Sequence, residues 1–169
     1  MRKVNRPLVN WRNVVFLLIA LGIIAADQFT KIWIRSNLAL GHSIPETGFF
    51  RLTHVRNTGA VFGLFQDQAF PLTIVSLAAI AVLLLYIFYL YRRFPYLDNM
   101  LGKSALGLVF GGIVGNLIDR LRFGYVTDFI DAGLWPAFNV ADSATTVGVV
   151  IIALFLLYLA KTEKLDLPA

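Results

Sequence analysis

The chain predicts an all-α integral membrane fold: four transmembrane helices, a small extracytoplasmic β-containing platform and a short interfacial helix. Three observations carry that prediction. With 58% hydrophobic and 15% charged residues and a mean hydropathy of +0.72, the sequence is too apolar for an ordinary soluble domain. Its apolar residues collect in four uncharged stretches, 13–26, 69–91, 104–118 and 143–160, and a helix crossing the hydrocarbon core needs about 20 mostly apolar residues. Between these stretches lie segments with glycine, proline and charge, the chemistry of turns and loops. One membrane domain covering residues 1–169 is expected.

The first stretch extends to a span of 13–34 only through Asp27 and Lys31, whose side chains must snorkel or face protein. Arg2, Lys3, Arg6 and Arg12 ahead of it, with Ala25 and Ala26 inside it, also fit a cleavable secretory signal. Cleavage there would leave Asp27, Gln28 and Lys31 at a free end and an odd number of spans, so a retained first helix is the better reading. Residues 35–68 follow as the platform. Gly41, Pro45, Gly48 and Gly59 punctuate it, and 49–55 favours short strands. Residues 57–65 are apolar but too short to span, and are expected to lie in the interface as a half-helix.

The second span, 69–91, meets the length requirement outright. In the third, 104–120, Gly107, Gly111 and Gly115 recur every fourth residue, which lets another helix approach closely. Asn116, Asp119 and Arg120 follow at i, i+3 and i+4, so they share one face near the outer end. The fourth span, 143–160, closes the bundle. Nine of the fifteen basic residues (Arg2, Lys3, Arg6, Arg12, Arg92, Arg93, Lys103, Lys161 and Lys164) fall on one side of this arrangement. That side should be cytoplasmic, which puts both termini inside and places 35–68 and 122–141 outside. The formal charge of +5 is thereby a matter of topology and not of nucleic-acid binding. Cysteine is absent, which excludes thiol nucleophiles, disulfides and thiolate metal sites.

Candidate chemistry lies in the short segment between the last two spans. Asp128 and Asp142 sit at the edge of hydrocarbon, where ionisable groups are expensive and functional by default. Gly124, Gly133 and Pro136 let the chain turn out of the third helix and back into the fourth. Two acids folded onto each other cannot both ionise easily; one keeps its proton while the other acts as base. Each has a competing reading. Asn139 could cap the fourth helix with Asp142 in its first turn, the commoner role for an isolated Asn-x-x-Asp, and Asp131 competes with Asp128. Ser143 has no partner base in sequence, His42 and His54 lie in the platform, and no HExxH pattern occurs. The alternative from another class is a small proton-coupled transporter, against which the acids gather at one membrane face and not near the midplane.

Five blocks, Asp27-Gln28-x-x-Lys31, Arg56-Asn57-x-Gly59-Ala60, Gly111-Gly112-x-x-Gly115-Asn116-x-x-Asp119-Arg120, Val126-x-Asp128-Phe129 and Phe138-Asn139-x-Ala141-Asp142-Ser143, resemble the motif blocks of the bacterial lipoprotein signal peptidase family, signal peptidase II. They run in the family's order and cover most of the chain. Departures are mild: Thr127 stands where an apolar residue is frequent, and the segment from Asp128 to Asp142 is compact.

The resemblance implies a monomeric aspartyl endopeptidase of the bacterial inner membrane that uses no cofactor or metal. Its substrates would be prolipoproteins whose lipobox cysteine carries diacylglycerol, cut on the amino side of that cysteine beside membrane lipids. Carried over by position, Asp128 and Asp142 are the catalytic pair. Asn57, Gly59, Asn116, Arg120 and Asn139 line or support the site, and Asp27, Lys31 and Asp119 belong to a structural motif.

Overall fold

The computed structural model describes residues 11–59, 69–89 and 95–165. Four helices in it are long and apolar enough to cross a membrane: α1 (Trp11–Asn37), α2 (Ala69–Phe88), α3 (Met100–Phe123) and α4 (Val140–Leu165). Three short strands, β1 (Ser43–Ile44), β2 (Arg51–Asn57) and β3 (Val126–Asp131), form one antiparallel sheet in the order β1-β2-β3. The helices run past the uncharged stretches because polar residues complete their ends. Asn99 caps α3, its Oδ1 accepting from the Gly102 N–H at 2.8 Å. Gly124, at φ 75°, closes the same helix with a bond from its N–H to the Arg120 carbonyl at 3.0 Å.

The platform differs from the expected 35–68 segment in two ways. Helix α1 continues to Asn37, and the third strand comes from the connection between α3 and α4. The half-helix expected over 57–65 falls largely outside the described residues, and its first residue, Asn57, is the last of β2. Pairing of Val55 with Asp128 and Asn57 with Val126 carries the polar end of β2 to the start of β3, just above the end of α3.

Helix α3 is the central post. Of its most apolar window 61% is buried, against 6–17% for the other three helices, whose outer faces are left for lipid. Its glycines explain the closeness of the packing. A Cβ at Gly107 would come 2.9 Å from the Phe16 carbonyl oxygen, one at Gly111 2.9 Å from that of Ala20, and one at Gly115 2.7 Å from the Asp27 carboxylate. That row therefore seats α1. On the other side of α3, a Cβ at Gly112 would collide with the Thr145 hydroxyl and the Ala141 carbonyl of α4. Close backbone approach through small residues is how helices associate where lipid removes the hydrophobic driving force. At the end remote from the sheet, Phe16, Ile87, Leu97 and Leu106 form a core, with Phe110 edge-on to Phe16 at 5.5 Å.

Candidate active site

Helix α4 begins just after Asn139, and Asn139 and Asp142 hold each other reciprocally. The Asn139 Oδ1 accepts from the Asp142 backbone N–H at 2.9 Å, and the Asp142 Oδ2 accepts from the Asn139 backbone N–H at 3.1 Å. This is a capping box. It occupies only one carboxylate oxygen of Asp142; the other, Oδ1, accepts from Asn116 Nδ2 of α3 at 2.7 Å. Capping and a role in a polar site are thus compatible for this residue.

Asp128 is held by two asparagines. Asn139 Nδ2 donates to its Oδ1 at 2.6 Å and Asn57 Nδ2 to its Oδ2 at 2.8 Å. Asn139 Nδ2 also lies 3.1 Å from Asn116 Oδ1, so Asn116 and Asn139 link the two acids. The Gly59 N–H, donating to Asn57 Oδ1 at 3.0 Å, fixes the orientation of the Asn57 amide.

Behind this layer lies a buried ion cluster. Lys31 Nζ stands 2.9 Å from Asp27 Oδ2 and 3.4 Å from Asp119 Oδ2, all three side chains fully buried, and donates to Asn116 Oδ1 at 2.8 Å. Arg35, 3.4 Å from Asp119 Oδ1, supplies the second positive charge and donates to the Thr127 hydroxyl at 2.8 Å. The carboxylates spend their remaining acceptors on backbone: Asp27 Oδ1 takes the Ala141 N–H and Asp119 Oδ2 the Thr127 N–H, each at 3.0 Å. One cluster on α1 and α3 therefore positions the residues preceding Asp128 and Asp142. Buried charges persist only with such full pairing.

Asp128, Asp142, Asn57, Gly59, Asn116 and Arg120 all line one cavity of about 760 Å³ under the sheet. The Arg120 guanidinium makes no hydrogen bond or ion pair within 4 Å among the described residues, so its donors remain available to the cavity. A second cavity of about 280 Å³, bounded by Val75, Ser76 and Ala79 of α2, shares Asn116, Arg120 and Asp142 with the first. Asp27, Lys31 and Asp119 stand outside both, and Asp131 is turned away toward Arg51.

Burial, and next the negative charge of Asp142, push the Asp128 carboxyl up from the usual 3.8 to about 7, despite the bonds from Asn57 and Asn139 that favour the carboxylate. In the described residues Asp27, Asp98, Asp119 and Asp131 each have a cation within 4 Å, and Asp128 and Asp142 do not. Trp135 and Ala137, which form a wall of the cavity with Pro136 and Phe138, and the α4 residues Thr146 and Val147 were not legible as lining residues in the sequence. The aromatic and proline cluster directly ahead of Asn139 was the available signal for the wall.

A family model described as signal peptidase (SPase) II matches residues 19–158. The lipoprotein signal peptidase of Dehalococcoides mccartyi strain BAV1 is 49% identical over 152 residues, covering 90% of this chain and 93% of that protein. The lipoprotein signal peptidase of Moorella thermoacetica is 46% identical over 138 residues, covering 81% and 89%. A solved bacterial membrane enzyme structure, obtained by the in meso method at 2.3 Å resolution, superposes with a TM-score of 0.78 at 31% identity over 92% of this chain and 94% of that one. A family match across most of the chain, relatives nearly half identical and a shared fold agree: the chain belongs to the signal peptidase II family and is a membrane-embedded aspartic endopeptidase.

Proposed function

We propose that this protein removes signal peptides from prolipoproteins, cutting on the amino side of a diacylglyceryl-modified lipobox cysteine, with Asp128 and Asp142 as the catalytic pair. One observation carries the assignment of the pair. Among the described residues they are the acids that line the cavity, and each is held by neutral amides with no cation within 4 Å. Asp128, its carboxyl raised to about 7, keeps the proton and donates it toward the scissile carbonyl. Asp142 takes a proton from a water held between the two. As negative charge develops on the carbonyl oxygen, the Arg120 guanidinium steadies it or the substrate backbone. No covalent intermediate is needed. Ser143 is poorly placed as a nucleophile, since its hydroxyl donates to the Asn139 carbonyl at 3.0 Å.

The substrate reading rests on the family and on the shape of the site. The larger cavity opens beside the sheet, while the smaller runs between α2, α3 and α4, an apolar cleft suited to a signal helix and acyl chains. In this reading the protein works as a monomer in the bacterial inner membrane, with both termini cytoplasmic and the site at the outer face. Purified protein given a diacylglyceryl-modified prolipoprotein and, separately, the unmodified precursor tests it. Cleavage of the modified form alone is expected. Equal cleavage of both would remove lipid recognition from the account, and cleavage of neither would remove the substrate class.

A further inference from the structure

The carboxylate of Asp131, outside the cavity, ties three strands and a loop together. Its Oδ2 accepts from Arg51 Nη2 at 2.6 Å and from the Thr53 hydroxyl at 3.2 Å, and its Oδ1 accepts from the Gly133 N–H at 2.9 Å. Arg51 lies directly opposite Asp131 in the β2–β3 register, and Thr53 is 2.8 Å from Ser43 of β1 through their hydroxyls. The Gly133 N–H and the Arg51 guanidinium hold the Asp131 carboxyl below the usual range, so it is charged near neutrality.

The loop that Asp131 grips, 132–138, leads from β3 to α4. Its far end is secured by Phe138, whose carbonyl accepts from the N–H groups of Phe129 and Ile130 and whose N–H donates to the Ile130 carbonyl. Its near end rests on Gly133, at φ 68° and packed against Phe49, and on the bond from Gly133 to Asp131. Between these ends, Trp135, Pro136 and Ala137 form a cavity wall. Losing the Asp131 carboxylate would release the near end only. Among the described residues the hydrogen bonds to the Asp128 and Asp142 carboxylates come from Asn57, Asn116 and Asn139, and would stay.

We propose that Asp131, with Arg51 and Thr53 as its partners, is a positioning residue that sets the 132–138 loop as the substrate-binding wall of the site. The inference rests on the peptidase reading of the cavity. It separates binding from chemistry: a loosened wall weakens ground-state and transition-state contacts alike and raises KM, while kcat depends on the pair behind it.

The test uses full-length protein in detergent, with Asp131→Ala and Arg51→Gln as independent variants and a diacylglyceryl-modified prolipoprotein peptide as substrate. Each should raise KM about tenfold with kcat held within about twofold, and the double variant should be little worse than Asp131→Ala alone, since Arg51 acts on the loop through Asp131. A second arm reads the loop directly, by acrylamide quenching of Trp135 in a Trp11→Phe, Trp33→Phe background. Quenching should increase on Asp131→Ala. A lowered kcat at unchanged KM, unaltered kinetics, or unaltered quenching would each overturn the proposal. A parent protein that cleaves nothing is a different failure: it defeats the peptidase reading, while the quenching arm still reports whether Asp131 holds the loop.

Discussion

Asn139 and Asp142 cap one another across the first turn of α4, at 2.9 and 3.1 Å, and the same Asn139 amide reaches Asp128 at 2.6 Å. The device that starts a helix is thus also the device that sets two acids on one cavity. Helix initiation and site assembly are one event here, because the capping asparagine has a donor left over after capping.

The raised Asp128 carboxyl gives a pH dependence. Its value of about 7 against the usual 3.8 means the folded protein binds a proton that the unfolded chain releases. The stability so gained is fully present below about 4 and is lost as pH rises through about 7. Under the proposed mechanism activity needs that proton, and should fall on the alkaline side of about 7. Asp128→Asn removes the titration but places one amide NH2 against a donor asparagine. Its melting temperature relative to wild type should therefore improve from pH 5 to pH 8. A pH-independent difference would contradict the assignment.

Lys31→Met should damage the fold before it damages chemistry. It leaves Asp27 and Asp119 buried with only the Arg35 guanidinium, which pairs with Asp119, and removes the donor to Asn116. Breaking a buried pair by deleting one partner costs about 3–5 kcal/mol. A large drop in melting temperature or in folded yield is expected, measured in detergent by circular dichroism.

Arg120→Lys separates a directed guanidinium from a simple positive charge. Arg120 lines both cavities and spends no donor within 4 Å on the described residues, so its planar fork is available to substrate. We expect kcat/KM to fall about tenfold or more with little change in melting temperature. Wild-type turnover by the lysine variant would exclude a geometric role.

The spans were legible in the sequence because length and apolarity alone define them. The glycine row on α3 was legible as a close-approach surface, since its spacing needs no partner to be read. Strand β3 was not, because Val126–Asp131 pairs with Arg51–Asn57, some seventy positions earlier, and both its faces are largely covered, which erases the alternation of a half-exposed strand. The sequence marked Asp27 and Lys31 as side chains that must snorkel or face protein, but the reach of Lys31 to Asn116 depends on how α1 docks on α3. For Asp142 the sequence posed cap against site as rivals, and two carboxylate oxygens accommodate both.

The absence of cysteine makes single-cysteine labelling clean. With four spans, the sheet and the 95–99 turn lie at opposite ends of the bundle, and the basic bias predicts that the turn is inside. Glu46→Cys should be labelled by an impermeant maleimide in intact cells and Asn99→Cys only after lysis. The reverse pattern would invert the topology.

The most direct measurement compares Asp142→Asn with wild type for both melting temperature and prolipoprotein cleavage on the same purified samples, with Asp128→Asn alongside. If the two acids act as one unit, each variant remains folded and membrane-inserted while cleavage falls on the order of a thousandfold or more, and the double variant is little worse than either. If Asp142 serves only as a cap, its replacement costs about 1 kcal/mol of stability and leaves cleavage largely intact. That second result, an active and merely less stable Asp142→Asn protein, would contradict the aspartyl-pair mechanism.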